Sequence, residues 1–153
     1  CNNIDMQGRH VAWILSAIYS EEKRLQLFWL LRTVLRTLEE ASLEEPGFFR
    51  FVPCFYVDTL ASLTSVLRTN FDPLVPIQAI PNSLDLLQSV AEFLACHIPD
   101  SRITNKGVKD TLRESAAGFF SSPLTLKCME SVSDQSMNIF IRALLKAYQG
   151  SSW

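Results

Sequence analysis

Apolar residues recur along most of this chain at three- and four-residue intervals, the spacing of one face of an α-helix. Val11, Ile14, Leu15 and Ile18 set that spacing over residues 9–18. Ser20 then reads as an N-cap, with Glu21 and Glu22 in a first turn where carboxylates favour the helix dipole. The segment that follows carries Leu25, Phe28, Leu31, Val34, Leu35 and Leu38, and Leu27, Trp29 and Leu30 extend its apolar surface nearly all round. Such a helix is expected at the centre of a fold, with Trp29 in the core. Glu44-Glu45-Pro46-Gly47 breaks the pattern, and Phe48, Phe49, Phe51 and Val52 predict an apolar connector laid on the core. Pro53 can open the next helix, whose stripe is Tyr56, Leu60, Leu63 and Leu67, and Asn70 is a candidate terminator.

Pro73, Pro76 and Pro81 make residues 71–81 a rigid, non-helical crossing between two helical subunits of a single domain spanning 1–153. Beyond it, Asn82 or Ser83 caps a helix with Leu84, Leu87, Val90, Ala91 and Leu94 inward, ended by Pro99. Asn105 caps another, with Val108, Leu112, Ala116, Phe119 and Phe120 apolar. Ser122-Pro123 opens a short helix reaching Val132. Ser133 or Asp134 starts the last, striped by Met137, Phe140, Ile141, Leu144, Leu145 and Tyr148 and stopped at Gly150. The prediction is an all-α chain of about seven helices, antiparallel and packed like a helical-repeat solenoid, although no fixed-period sequence repeat is present.

Composition supports that reading. Only 5 glycines and 7 prolines occur in 153 residues, few for an all-β sandwich that turns about every ten residues. The hydrophobic share is 48% and the charged share 20%, a globular rather than a disordered mix. A formal charge of −2 argues against a general nucleic-acid binder, whose affinity comes from neutralising phosphates. The strongest apolar run, Leu27 to Leu31, falls far short of the roughly 20 residues that cross a bilayer. The chain starts at Cys1 rather than a methionine and reads as an excerpt of something longer.

Candidate chemistry is sparse. Cys1, Cys54, Cys96 and Cys128 are expected as free, mostly buried thiols in a reducing compartment. His10 and His97 are the only histidines; no CxxC or HxxxH spacing indicates a zinc site, and Cys54, Cys96 and Cys128 read as small core residues rather than as half of a Cys–His nucleophile, a pair that can be distant in sequence. Glu21-Glu22, Glu39-Glu40 and Glu44-Glu45 read as solvated pairs at helix ends. No phosphate-cradling glycine loop is present. No cofactor and no small-molecule ligand are expected. Arg24, Arg32 and Arg36 suggest a solvated face, with Arg36 in reach of Glu40. Arg102, Lys106, Lys109 and Arg113, partly offset by Asp110 and Glu114, form a basic strip, in which Arg102, Lys109 and Arg113 are the candidate partner-binding residues. Trp13 lies off its stripe, and Trp153 at the end suits packing against a part of a parent chain.

One stretch carries a resemblance. Phe93-Leu94-Ala95-Cys96-His97-Ile98-Pro99 is followed by Arg102-Ile103-Thr104-Asn105 and Val108-Lys109-Asp110-Thr111-Leu112. Ile103, Asn105, Val108, Lys109 and Leu112 match in order a short motif in the helical core of chain-elongating U-box ubiquitin ligases. With Phe55-Tyr56-Val57-Asp58 upstream and Gly118-Phe119-Phe120-Ser121-Ser122-Pro123 downstream, residues 50–125 resemble the central helical region of the large SPRY- and RING-containing E3 ubiquitin ligases of the Kip ubiquitylation-promoting type. The paired Cys/His ligands of a RING are absent from this chain, and no U-box-like segment follows Tyr148. The resemblance therefore implies a non-catalytic, cytoplasmic helical scaffold with ubiquitin-pathway protein partners, the E2-recruiting module lying elsewhere. From the residues alone, a helical adaptor or trafficking-type repeat segment and a helical enzyme domain with dispersed catalytic residues stay open.

Overall fold

The computed structural model describes residues 6, 8, 9, 12, 13, 16, 20–44, 51–69 and 80–150, the side chains of 68, 69 and 150 excepted. The described residues hold six helices and no strand: α1 (Glu21–Leu43), α2 (Cys54–Thr69), α3 (Ser83–His97), α4 (Lys106–Phe120), α5 (Pro123–Glu130) and α6 (Asp134–Gly150). Six, rather than about seven, is the number among the described residues. The stripe of the earliest expected helix lies outside the described residues, as do the prolines at 73 and 76, Phe48, Phe49, Asn70 and Trp153.

Most boundaries follow local chemistry. The Ser20 hydroxyl accepts from the Lys23 N–H at the start of α1. The Ser133 hydroxyl accepts from the Ser136 N–H at the start of α6. Pro123 occupies the first turn of α5, where its missing N–H leaves no orphan donor. Asn82 sits before α3 in the left-handed region, φ 60°, and makes no side-chain cap bond. Asn tolerates that conformation better than most residues, and here it turns the chain into the helix rather than capping it.

The centre of the fold is α3, not α1. Nine of its 15 residues are buried, against seven of 23 in α1. It packs on α1, α4, α5 and α6, while α2 bridges α1 and α4. Buried residues from all six helices, from Phe28 to Phe140, form one hydrophobic cluster. Among the described residues α2 and α3 cover one side of α1, so its wide apolar surface is misleading: Leu25, Leu30 and Trp29 are exposed, Trp29 at 68%. Trp29 is one residue, about 100° of helix, from the buried Phe28. Arg24, four residues before Phe28, instead points inward and is buried, so it leaves the solvated face expected with Arg32 and Arg36. Arg36 and Glu40 do pair, at 3.0 Å, in the open.

Further corrections follow the same geometry. Leu84 lies at the edge of α3 and is exposed, and Phe51 of the connector is 82% exposed. Cys128 is buried, but Cys54 and Cys96 are exposed, because each falls on the outward side of its helix. No helix among the described residues is long and apolar enough to cross a membrane.

Candidate functional site

The segment between α3 and α4 contains the motif residues and is held by polar contacts built from adjacent positions. Asn105 adopts extended backbone, and its side-chain oxygen accepts from the N–H groups of Gly107 (2.8 Å) and Val108 (3.4 Å). Two otherwise unpaired donors of α4 are thereby satisfied, which is the capping role the sequence suggested. Asn105→Ala is expected to lower stability by about 0.5–2 kcal/mol, whereas Asn105→Asp or Asn105→Ser keeps most of it. Thermal unfolding of the three variants checks this, and an unchanged midpoint for Asn105→Ala would refute the capping account.

Immediately after Pro99, the chain doubles back through an acid–base fork between Asp100 and Arg102. Arg102 Nε donates to both oxygens of Asp100, at 3.1 and 3.0 Å, and Nη2 donates to Oδ2 at 2.7 Å. The Arg102 backbone N–H also donates to Oδ1, at 2.8 Å. Nη1 reaches across to the carbonyl of Ser42, at 2.7 Å, in the last turn of α1. Carbonyls there lack intrahelical donors, so Arg102 closes the end of α1 as well as the turn. Burial pushes the Asp100 carboxyl up, but the bonds from Arg102 outweigh it and hold the group below its ordinary value. The same bonds raise Arg102. Asp100 was not singled out in the sequence; the Asp-x-Arg spacing was the signal for it.

His97 ends α3 buried. It stacks on Phe93 with ring centroids 4.1 Å apart, and Nδ1 lies 2.9 Å from the Phe93 carbonyl oxygen. Burial pushes its pKa down, against the opposing pull of that carbonyl. Its neighbour Cys96 emerges on another face, with Sγ 3.5 Å from Ser136 Oγ and 3.8 Å from Glu92 Oε1. The adjacent Cys–His pair is thus split between core and surface. Glu92 accepts from Ser136 Oγ at 2.9 Å and from the Ser133 N–H at 3.3 Å, joining α3 to the start of α6. That tie spans 44 residues and carried no local sequence signal.

Two cavities flank α4. One, of about 160 Å³, is lined by Val52, Cys54, Val57, Arg102, Ile103 and Asn105 among others. The other, of about 360 Å³, runs between α2 and α4 past Asp58, Ser62, Ser65, Thr111 and Glu114. Thr111 Oγ1 donates to Asp58 Oδ1 across it, at 3.4 Å. The expected basic strip is divided: Arg102 is committed to Asp100 and Ser42, while Lys109 and Arg113 stand one turn apart on α4. Arg113 Nη1 meets Asp110 at 2.8 Å. Glu21, Glu22 and Glu44 are exposed; Glu39 is half-buried and raised by that burial and by Glu40. None of these acids lines either cavity. Among the described residues no group of three or more His, Cys, Asp or Glu side chains could hold a metal ion. The arrangement can hold helix ends in place.

No family model matches the chain, and no solved structure matches it. The chain is, however, 29% identical over 145 residues, 95% of its own length, to the E3 ubiquitin-protein ligase RKP of Arabidopsis thaliana, of which it spans about a tenth (11%).

Proposed function

We propose that this chain is a non-catalytic helical scaffold and protein-interaction region of an E3 ubiquitin ligase. The observation that carries the reading is the similarity to a ligase across nearly the whole chain, over only 11% of that ligase. In this reading the parent is of the SPRY- and RING-containing, Kip ubiquitylation-promoting type, acts in the cytoplasm, and stacks these helices in a repeat-like array. The scaffold acts by positioning: tethering substrate- and E2-binding modules at a fixed separation raises the effective concentration of one near the other. The single cluster joining six helices suits a rigid spacer. Lys109 and Arg113 supply a contact for an acidic protein partner, with Arg102 holding the turn beneath them.

The purified chain is expected to build no ubiquitin chains with E1, E2 and ATP. Insertion of a flexible linker of equal span for residues 83–150 in the parent ligase should lower its substrate ubiquitylation while leaving substrate-independent E2 discharge intact. Chain formation by the isolated protein above a blank, or full substrate ubiquitylation by the linker variant, would overturn the scaffold reading.

A further inference from the structure

The apolar stripe of α6 is wider than the surface that covers it. Phe140 is buried, and Met137 and Leu144 are half-buried. On the flank of that inward face, Ile141 is 46% and Leu145 57% exposed, and Tyr148 continues the line one turn on. At its N-terminal end the stripe runs into an apolar groove of about 240 Å³ lined by Phe120, Leu126, Met129, Val132 and Met137. Phe120 is 45% exposed and stacks on Phe140 at 6.3 Å, so groove and stripe form one surface.

Charge along this surface is polarised. Glu130 and Asp134 stand at the groove end. Arg142 and Lys146 follow on the solvent side of the stripe, and no carboxylate occurs between residues 135 and 150. Neither base is a member of an ion pair found among the described residues. A surface with an acidic end, from Glu130 at the close of α5 and Asp134 at the start of α6, a basic second half and an apolar side is complementary to itself when turned antiparallel. The acidic end of one copy then lies beside the basic half of the other, and both apolar stripes are covered at once.

We propose that a second copy of this chain docks on α6, forming a two-fold dimer in which the stripes of Met137, Ile141 and Leu145 face each other. In this dimer Glu130 and Asp134 of each copy lie against Arg142 and Lys146 of the other. A parallel arrangement would set like charges together, so polarity fixes the antiparallel orientation. Closed two-fold pairing also limits association to two copies, because each copy's stripe is fully covered by its partner.

Sedimentation equilibrium of the full chain tests the proposal. The wild type is expected to populate a dimer below about 100 µM, and Ile141→Glu with Leu145→Glu to weaken it on the order of 30-fold. Both positions are exposed, so the circular dichroism melt of that variant should change little. The decisive arm is a mixture. Arg142→Glu with Lys146→Glu and, separately, Glu130→Lys with Asp134→Lys should each associate more weakly than the wild type, by about fivefold or more. Mixed one to one, the two variants should form a heterodimer at wild-type strength, since every facing pair is again opposite in sign. A wild type that stays monomeric at that concentration overturns the proposal. So does association insensitive to the Ile141 and Leu145 changes, or failure of the mixture to recover.

Discussion

Phe119→Ala is expected to cost about 3–5 kcal/mol of unfolding free energy, while Trp29→Ala changes it by about 0.5 kcal/mol or less. Both remove a large aromatic side chain from a helix. Phe119 is 0% exposed, on the face of α4 where that helix packs on α2, α3 and α5. Deleting its ring loses the transfer free energy and leaves a hole that the surrounding core fills only in part. The carbonyl of the same residue accepts from the buried Thr125 hydroxyl at 2.8 Å, the bond that seats α5 against the end of α4. A shift of the backbone there strains that bond too. A domain of this size has about 5–15 kcal/mol in total, so Phe119→Ala brings the chain close to unfolding at 37 °C. Trp29 is 68% exposed and leaves no cavity when removed. Urea titration of the two variants is the measurement. Equal midpoints would mean that the inward face of α1 or of α4 is misassigned.

Arg102→Met is expected to cost about 2–3 kcal/mol. The methionine keeps much of the stem's packing and removes the guanidinium. Asp100, only 12% exposed at its side chain, is then left without its fork, and the Ser42 carbonyl loses its donor. Exposed ion pairs such as Arg36–Glu40, with side chains 77% and 65% accessible, contribute at most about 1 kcal/mol. The larger figure for Arg102 reflects the stranded partners rather than the strength of the pair. The effect should depend on pH in a defined sense. Asp100 has a folded-state pKa below its ordinary value, so its contribution is complete above the usual carboxylate range and is lost as pH falls through the folded value. The stability difference between wild type and Arg102→Met should therefore shrink on acidification, measured by denaturation at neutral pH and near pH 3. A difference that stayed constant with pH would show that Arg102 acts through packing and its bond to the Ser42 carbonyl rather than through the Asp100 carboxylate.

The caps and stripes were legible along the chain because they are local. Ser20, Asn105 and Pro123 act within one helical turn, so residue type and spacing suffice to place them. The buried stripes of α2, α4 and much of α3 were legible for the same reason, since 3.6-residue periodicity fixes which side chains share a face. Periodicity was weak where too many positions are apolar. In α1 nearly every face is greasy, and only the placement of α2 and α3 shows which one is covered; hence Trp29 outside and Arg24 inside. In α6 only Phe140 of the expected stripe is buried, with Met137 and Leu144 half-buried, while Ile141, Leu145 and Tyr148 are exposed because the neighbouring helices cover one edge of it.

Arg102 is set apart from the rest of the basic strip for a related reason. Arg102, Lys109 and Arg113 are near in sequence, yet Arg102 precedes the helix and turns back to Asp100 and Ser42. Ser42 lies 60 positions away, a separation that no local pattern can reveal. The Glu92 tie to Ser133 and Ser136 is of the same kind. Successive residues of a helix point about 100° apart, so Cys96 and His97 leave α3 on different faces, one exposed and one buried.

By itself the sequence determined that the chain is helical, where most helices begin and end, and which residues can line each inner face, because those properties depend on interactions within a turn or two. The tertiary structure alone decided that α3 is the central helix, that Arg102 ties two distant helix ends together, and that the outer sides of α1 and α6 stay exposed. Those outcomes depend on which helices meet, and burial on one face of a helix is a property of its neighbours as much as of its own residues.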